Sequence, residues 1–250
     1  LMPGIRPENW DRVYSSIEKS TSRSFELIIV SPYPLTDGLK DKKNVKYVKD
    51  YGSPVRCSCI GASIAEGKYI DPAFADDAVY IEGAIDKNID FLESFGEDER
   101  NVVIFKYSES EGVTDPDRFQ DDDYYKLVNA YPVDRNIVPD DWLIFNSTIW
   151  HRSFFEKFGG FDCEFQATPM AHADLAVRAQ RGGALAHISP HPGSICDHGQ
   201  PDHQPIELAQ VHFDTPIFRE KYKQPLDNFP IVIDRDNWKQ APTVWFRFTQ

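Results

Sequence analysis

The spacing of hydrophobic and polar positions in the first third of the chain changes between a helical and a strand-like period. Apolar side chains recur every three to four residues from Pro7 to Ser20, which predicts an amphipathic helix beginning at a proline. Short β-branched runs at 25–30 and 45–48 each predict a strand. Ser53 followed by Pro54 is typical of an N-cap and a first helical turn, so a second helix is predicted to end before Gly67.

The middle and end of the chain continue this alternation. A strand is predicted from Lys68 onward, a helix over 81–92 and a strand over 102–107, whereas 108–141 is polar and acidic and is predicted to be a loop, a flap or a solvated insertion. Further strands are predicted at 142–145 and 184–188, and further helices at 149–158, at 174–181 and near Phe218. Such alternation predicts an α/β fold with a mainly parallel sheet covered by helices on both faces.

Composition narrows the classes of partner. The 250 residues include 40 acidic and 27 basic side chains, a net charge of −13, which argues against electrostatic binding to nucleic acid or to an anionic membrane. Anionic metabolites remain possible ligands where a metal ion or a few arginines reverse the local charge. The sequence lacks an 18-residue apolar run and a basic-then-apolar leader, so a cytoplasmic protein is expected, with peripheral membrane association left open. The four cysteines lack paired zinc-binding spacing and are predicted to be reduced thiols.

Two polar clusters are candidates for chemistry. Asp76 and Asp77 follow a predicted strand, and ligand-binding loops of open α/β sheets gather at the carboxyl ends of strands. Neighbouring carboxylates there suit Mg²⁺ or Mn²⁺ with phosphate oxygens completing the shell, although a solvated turn or a helix cap is the other interpretation. The second cluster contains His172, Asp174 and Arg178.

Together these features resemble the GT-A glycosyltransferases of the family 2 type. The likeness lies in four stretches that follow the order of that family: 15–30, 56–70, Ala75-Asp76-Asp77, and 158–162 continuing to 174–178. The resemblance implies a GT-A fold and a nucleoside-diphosphate sugar donor. It places Asp76 near the ribose, Asp77 on the metal and Arg56 facing the nucleotide. The remaining implied donor-binding residues are Pro3, Gly4, Arg6 and the 32–37 loop with Asp37.

The second half of such enzymes binds the acceptor and supplies a base, because the attacking hydroxyl must lose its proton. This chain has Ala171-His172 where the family usually has an acidic pair. Asp174 is the favoured base, with N-capping of its own helix as the alternative. His172 is the second choice, or a ligand of metal or acceptor. His198 lies in a polar loop and is predicted either to lend an imidazole to the metal or diphosphate, or to belong to a solvated turn.

The resulting hypothesis is a metal-dependent, inverting glycosyltransferase that moves a sugar, from UDP in the favoured version, to a hydroxyl of a glycan, lipid or protein. Its halves are predicted at 1–107 for the donor and 108–214 for the acceptor, with a C-terminal extension at 215–250. Leu1-Met2 alone precedes Pro3, which indicates either a trimmed or a very short first strand. The alternatives are an inactive sugar-nucleotide-binding module and a sugar nucleotidyltransferase.

Overall fold

The computed structural model describes residues 1–110, 112, 119–197, 199 and 204–249. Its first sheet is parallel, with strand order β1-β2-β3, where β1 is Met2–Pro3, β2 is Leu27–Ser31 and β3 is Val45–Lys49. Helix α1 (Pro7–Ser20) and helix α2 (Pro54–Ser63) begin where the sequence predicts them. The Ser53 hydroxyl accepts a hydrogen bond from the backbone N–H of Arg56, which confirms the predicted N-cap.

The second sheet corrects the prediction of a mostly parallel arrangement. It has five strands in the order β4-β7-β6-β8-β5, and β6–β8 is its one parallel pairing among the described residues. The strands are β4 (Tyr69–Ile70), β5 (Ala78–Tyr80), β6 (Asn101–Ser110), β7 (Thr148–His151) and β8 (Leu185–Asp197). Its three antiparallel pairings, β4–β7, β6–β7 and β5–β8, each join strands that are separated by a long stretch of chain, so the order of elements along the sequence did not reveal their direction.

Helices cover both faces of this sheet, as predicted. They are α3 (Ala84–Glu93), α4 (Leu127–Ala130), α5 (Arg152–Lys157) and α6 (Thr168–Arg181). Alternate residues of β6 point to opposite faces: Val102 and Ile104 belong to the core under α6, whereas Val103 and Phe105 belong to the core under α1 and α3. The central strand is therefore buried on both sides.

The two sheets meet at their edges next to the first residue. The backbone nitrogen of Leu1 donates to the carbonyl of Asp71 (2.7 Å), and the N–H of Phe74 donates to the carbonyl of Leu1 (2.8 Å). This contact brings the loop after β1 beside the loop that carries Asp76 and Asp77.

The C-terminal part packs against α6. Helix α7 (Gln204–Ala209), a π-helical turn (Gln210–Asp214) and helix α8 (Thr215–Lys221) follow one another, and the buried ring of Phe218 joins the main core. This confirms the predicted helix near Phe218. Nothing in the fold tests the division at residues 107 and 214, which stays a prediction.

Several predicted boundaries were wrong. The strand expected at 142–145 is irregular backbone, and β7 occupies the start of the helix predicted at 149–158. Helix α6 begins at Thr168, six residues before the predicted start, because Pro169 occupies its first turn. Within the described part of the chain, none of the helices combines the length and apolar character that a bilayer span requires.

Candidate functional site

A cavity of about 500 Å³ lies where the two sheets meet. Its walls come from the loop after β1, the acidic loop before β5, strand β6, the segment before β7 and the first turns of α6 and α7. The lining residues used below are Pro3, Gly4, Arg6, Asp76, Asp77, Tyr107, Glu109, Tyr124, Tyr131, Asn146, His172 and Glu207. Eight of the described residues were predicted to bind the nucleotide or to act in catalysis, and five of them line this cavity: Pro3, Gly4, Arg6, Asp76 and His172. The predicted metal ligand Asp77 lines it as well.

Asp76 holds the loop after β1 in place. Its Oδ2 accepts the backbone N–H groups of Ile5 and Arg6, each at 2.6 Å, and the indole N–H of Trp10 at 3.3 Å. Its Oδ1 accepts Arg6 Nη1 at 2.6 Å. A Cβ on Gly4 would lie 2.7 Å from the Trp10 ring, so glycine lets this loop lie flat on the indole. Both carboxylate oxygens thus bind the chain itself, an arrangement suited to positioning Pro3, Gly4 and Arg6 rather than to holding a ribose.

Arg6 joins the two aspartates. The same Nη1 lies 3.3 Å from Asp77 Oδ2, and all three side chains are buried. Arg6 Nε has no hydrogen-bond partner among the residues that the structure describes. Because buried donors are nearly always satisfied, such an atom commonly belongs to a ligand or to ordered water.

The cavity carries an excess of negative charge. Its described lining contains five carboxylates, those of Asp71, Asp76, Asp77, Glu109 and Glu207, and Arg6 as its sole Lys or Arg. A diphosphate entering this site would meet repulsion unless a cation accompanied it.

A divalent metal ion fits this donor set in combination with a phosphate ligand. Among the described residues no group of three or more His, Cys, Asp or Glu side chains is placed to hold an ion alone. Mg²⁺ in phosphate-transfer sites usually takes only one or two protein carboxylates, while substrate oxygens and water complete the shell. Asp77 is a hard oxygen donor on the cavity wall and meets that requirement. The predicted partner ligand His198 lies outside the described residues.

His172 lies on the cavity wall and is buried. Its Nδ1 contacts the carbonyl oxygen of Phe145, and since a carbonyl only accepts, Nδ1 carries the proton and Nε2 is the basic nitrogen. Burial lowers the pKa of His172 to about 4, so the imidazole is neutral at physiological pH.

Asp174 lies elsewhere, inside the protein. It is fully buried, does not line the cavity, and accepts hydrogen bonds from Arg178 Nε (2.7 Å), Lys221 Nζ (2.6 Å) and the hydroxyl of Tyr222 (2.7 Å). It sits in the second turn of α6, so it is not an N-cap either. Its three partners give it the surroundings of a structural ion pair, which does not favour the predicted role as base.

Arg56 and Asp37 also lie away from the cavity lining. Arg56 Nη2 pairs with Asp50 (3.0 Å) and Nη1 donates to the carbonyls of Trp238 and Ala241, so this buried arginine holds the C-terminal segment instead of facing a nucleotide. Asp37 is exposed and pairs with Lys40 at 2.6 Å. Neither position favours the predicted nucleotide contact.

Sequence reasoning missed a polar wall formed by Tyr107, Tyr124, Tyr131 and Asn146, together with Glu109. These residues come from β6, from the stretch predicted as an acidic loop, and from the segment before β7. Their side chains give no periodic signal in the sequence, and only the fold brings them together.

Comparison with known proteins supports the fold. No family model matches the chain, and no curated protein matches its sequence. Among solved structures, the chain is similar to residues 1–349 of TarS from S. aureus, a glycosyltransferase, with a TM-score of 0.58 and 13% identity over 87% of this chain and 66% of that one. The chain thus spans about two thirds of that structure. At this identity the likeness shows a glycosyltransferase-like fold; the GT-A arrangement itself stays a prediction.

Proposed function

We propose that this chain is a glycosyltransferase that moves a sugar from a nucleoside-diphosphate donor to a hydroxyl acceptor. One observation carries the proposal: a buried acidic pair and a neutral imidazole line the same cavity, in a fold similar to that of a glycosyltransferase. The favoured donor is a UDP-sugar, and transfer is proposed to occur with inversion in one displacement.

Asp77 is the residue proposed to hold Mn²⁺ or Mg²⁺, with Arg6 beside it. When bound, the metal neutralises the negative charge that grows on the departing diphosphate. Arg6 is positioned by Asp76, and its unpartnered Nε supplies a further donor for a phosphate oxygen. The excess of carboxylates in the cavity is the reason why donor binding is proposed to require the cation.

His172 is the proposed general base, in place of Asp174. The carbonyl of Phe145 fixes the tautomer, so that Nε2 can accept the proton of the acceptor hydroxyl. A base with a pKa of about 4 is weak in the empty cavity. A bound nucleoside diphosphate adds negative charge nearby, which raises the pKa of the imidazole toward neutrality.

The second candidate function is a sugar-nucleotide-binding module without catalysis. It is favoured by the Ala171-His172 pair, which replaces the acidic pair usual in the family, and by the structural surroundings of Asp174. Both candidates predict nucleotide binding, but only the transferase predicts turnover that depends on His172.

Calorimetry with UDP and GDP, with and without MnCl₂, tests the donor site. We expect metal-dependent binding of at least one nucleotide, and a loss of at least tenfold in metal-dependent affinity for Asp77→Asn, while Asp37→Asn serves as the exposed control. A folded protein that binds neither nucleotide with metal present would reject both candidates.

A screen of nucleotide sugars for hydrolysis or transfer then separates them. His172→Gln should retain nucleotide affinity within about threefold but lose roughly 10²- to 10⁴-fold in turnover, the usual contribution of a general base. His187→Gln is the matched control, because His187 contacts Asn101 and lies outside the cavity lining. Nucleotide binding without any turnover by the unmodified protein would favour the binding module.

A further inference from the structure

One part of the cavity wall is built from tyrosines joined by hydrogen bonds. Tyr107 lies on β6, Tyr124 in the 3₁₀ turn Asp122–Tyr125, Tyr131 directly after α4, and Asn146 before β7. All four line the cavity. They are not needed for the steps assigned to Asp77, Arg6 and His172.

Hydrogen bonds join the four side chains of this tyrosine wall. Tyr131 donates its hydroxyl to Asn146 Oδ1 (3.2 Å), and Asn146 Nδ2 lies 3.4 Å from the hydroxyl of Tyr107. The hydroxyls of Tyr107 and Tyr124 are 2.6 Å apart, close enough for a hydrogen bond in which either oxygen can be the donor. The wall is therefore pre-organised by its own partners.

The phenols of the wall stay uncharged. Burial is the main cause that raises the pKa of each phenol, Tyr107, Tyr124 and Tyr131, so all three remain protonated at neutral pH. Each phenol oxygen and the Asn146 amide keep hydrogen-bonding capacity beyond the bonds named above. The wall thus offers a ligand both acceptors and donors next to apolar ring surface.

Carbohydrate matches these properties. Each sugar hydroxyl both donates and accepts, and the C–H-rich face of a sugar ring packs against aromatic rings. An anionic ligand does not match this wall, because the carboxylate of Glu109 lines the cavity beside it, whereas Arg6, the one Arg or Lys among the described lining residues, lies at the acidic pair.

The wall lies in the same cavity as the acidic pair. In the strand register, Glu109 of β6 and Ala78 of β5 both pair with Cys196 of β8, so Glu109 lies across one strand from the residue that follows Asp77. A sugar ring on the wall is therefore close to the proposed diphosphate site.

We propose that Tyr107, Tyr124, Tyr131 and Asn146 form a subsite for uncharged carbohydrate, which excludes sugars carrying phosphate or carboxylate groups. Identifying this carbohydrate as the acceptor rests on the proposed function. Binding of carbohydrate by the wall does not.

Ligand-observed saturation-transfer NMR on the whole chain tests the subsite. The probes are the methyl glycosides of glucose, galactose and N-acetylglucosamine, with glucose 6-phosphate as the charged counterpart. The variants are Tyr131→Phe and Asn146→Ala. Tyr69→Phe is the control, because it also removes a hydroxyl that makes one hydrogen bond, to Glu93, but lies outside the cavity lining. Thermal unfolding and UDP calorimetry accompany each variant.

We expect at least one methyl glycoside to bind, glucose 6-phosphate to bind at least tenfold more weakly, and both wall variants to lose at least fivefold in glycoside affinity. The control and the affinity for UDP should stay within twofold. No binding by any glycoside, equal binding of glucose 6-phosphate, or glycoside affinity unchanged in both wall variants would each overturn the inference, even with UDP binding intact. Glycoside binding that is sensitive to both variants, without nucleotide binding, would uphold the subsite and reject the transferase.

Discussion

Replacing Asp174 with asparagine separates a structural carboxylate from a catalytic one. Asp174 has no exposed surface and holds Arg178, Lys221 and Tyr222 at 2.6–2.7 Å. Burial by itself raises the pKa of Asp174, but the charges of Arg178 and Lys221 and the hydrogen bonds from Lys221 and Tyr222 outweigh that effect and lower it to about 2.

The stability that Asp174 contributes can be calculated in two ways. A folded-state pKa of about 2, against about 4 in the unfolded chain, corresponds to about 2.5 kcal/mol of stability at neutral pH, which is lost as the pH falls from about 4 to about 2. The substitution should cost more, roughly 3–5 kcal/mol, because it also leaves the buried cations Arg178 and Lys221 without their counter-charge. The second figure applies to Asp174→Asn, since the variant keeps the cations in place.

Urea unfolding of the wild type and of Asp174→Asn measures this loss. Asp162→Asn is the control: Asp162 also pairs with Lys221, at 3.2 Å, but its side chain is partly exposed, so a loss of about 1 kcal/mol or less is expected. At low temperature, where the variant is still folded, sugar transfer should stay within about threefold of wild type. An Asp174→Asn protein as stable as the wild type but without turnover would refute this reasoning and return the catalytic role to Asp174.

Three further predictions concern pH and the C-terminal segment. Burial raises the pKa of Asp214 to about 6, so the free energy of unfolding of the protein should fall as the pH rises from about 4 to about 6. Urea unfolding across this pH range should show that slope, and Asp214→Asn should remove it. An unchanged slope in the variant would contradict the assignment. His172 has a pKa lowered to about 4, so its neutral form stabilises the fold above about pH 6.5 and that contribution is lost as the pH falls toward 4. Proton NMR of the His172 imidazole should show this low pKa, and saturating UDP with metal should raise it; a pKa that UDP leaves unmoved would argue against the base. Arg56→Ala removes the contacts to Trp238 and Ala241, so tryptic cleavage within the last 30 residues should become at least fivefold faster. Arg100→Ala, at an exposed arginine, is the control. Unchanged cleavage in Arg56→Ala would show that other contacts hold the segment.

Local signals in the sequence were sufficient for the elements whose causes are local. The apolar period of α1 and the Ser53-Pro54 start of α2 lie within a few residues of the structure that they specify. The acidic pair could also be predicted from local sequence, because its position after a strand and before the next element placed Asp77 on the cavity wall.

The roles of Asp174 and Arg56 could not be predicted because their partners lie far along the chain. Lys221 and Tyr222 are 47 and 48 residues from Asp174, and Trp238 is 182 residues from Arg56. One local signal was available and was overlooked: Thr168-Pro169 marks the start of α6, which places Asp174 in the second turn and His172 nearer the open end.

The residues after 204 connect the two sides of the cavity through these distant contacts. Asp214 accepts the backbone N–H groups of Gln166 and Ala167 (2.9 and 2.6 Å) at the start of α6, and Lys221 and Tyr222 hold Asp174 about two turns further on. The carbonyls of Trp238 and Ala241 hold Arg56 in α2.

Each anchored helix contributes its first turns to the cavity: Pro54 and Cys57 from α2, and Thr168, Pro169 and His172 from α6. Because the C-terminal segment fixes both helices through buried charged groups, a change in its packing should move the two parts of the cavity wall that α2 and α6 form. The segment predicted as an extension is thus a structural support for the proposed site, and its contacts explain why two predicted site residues lie inside the protein instead of on the cavity wall.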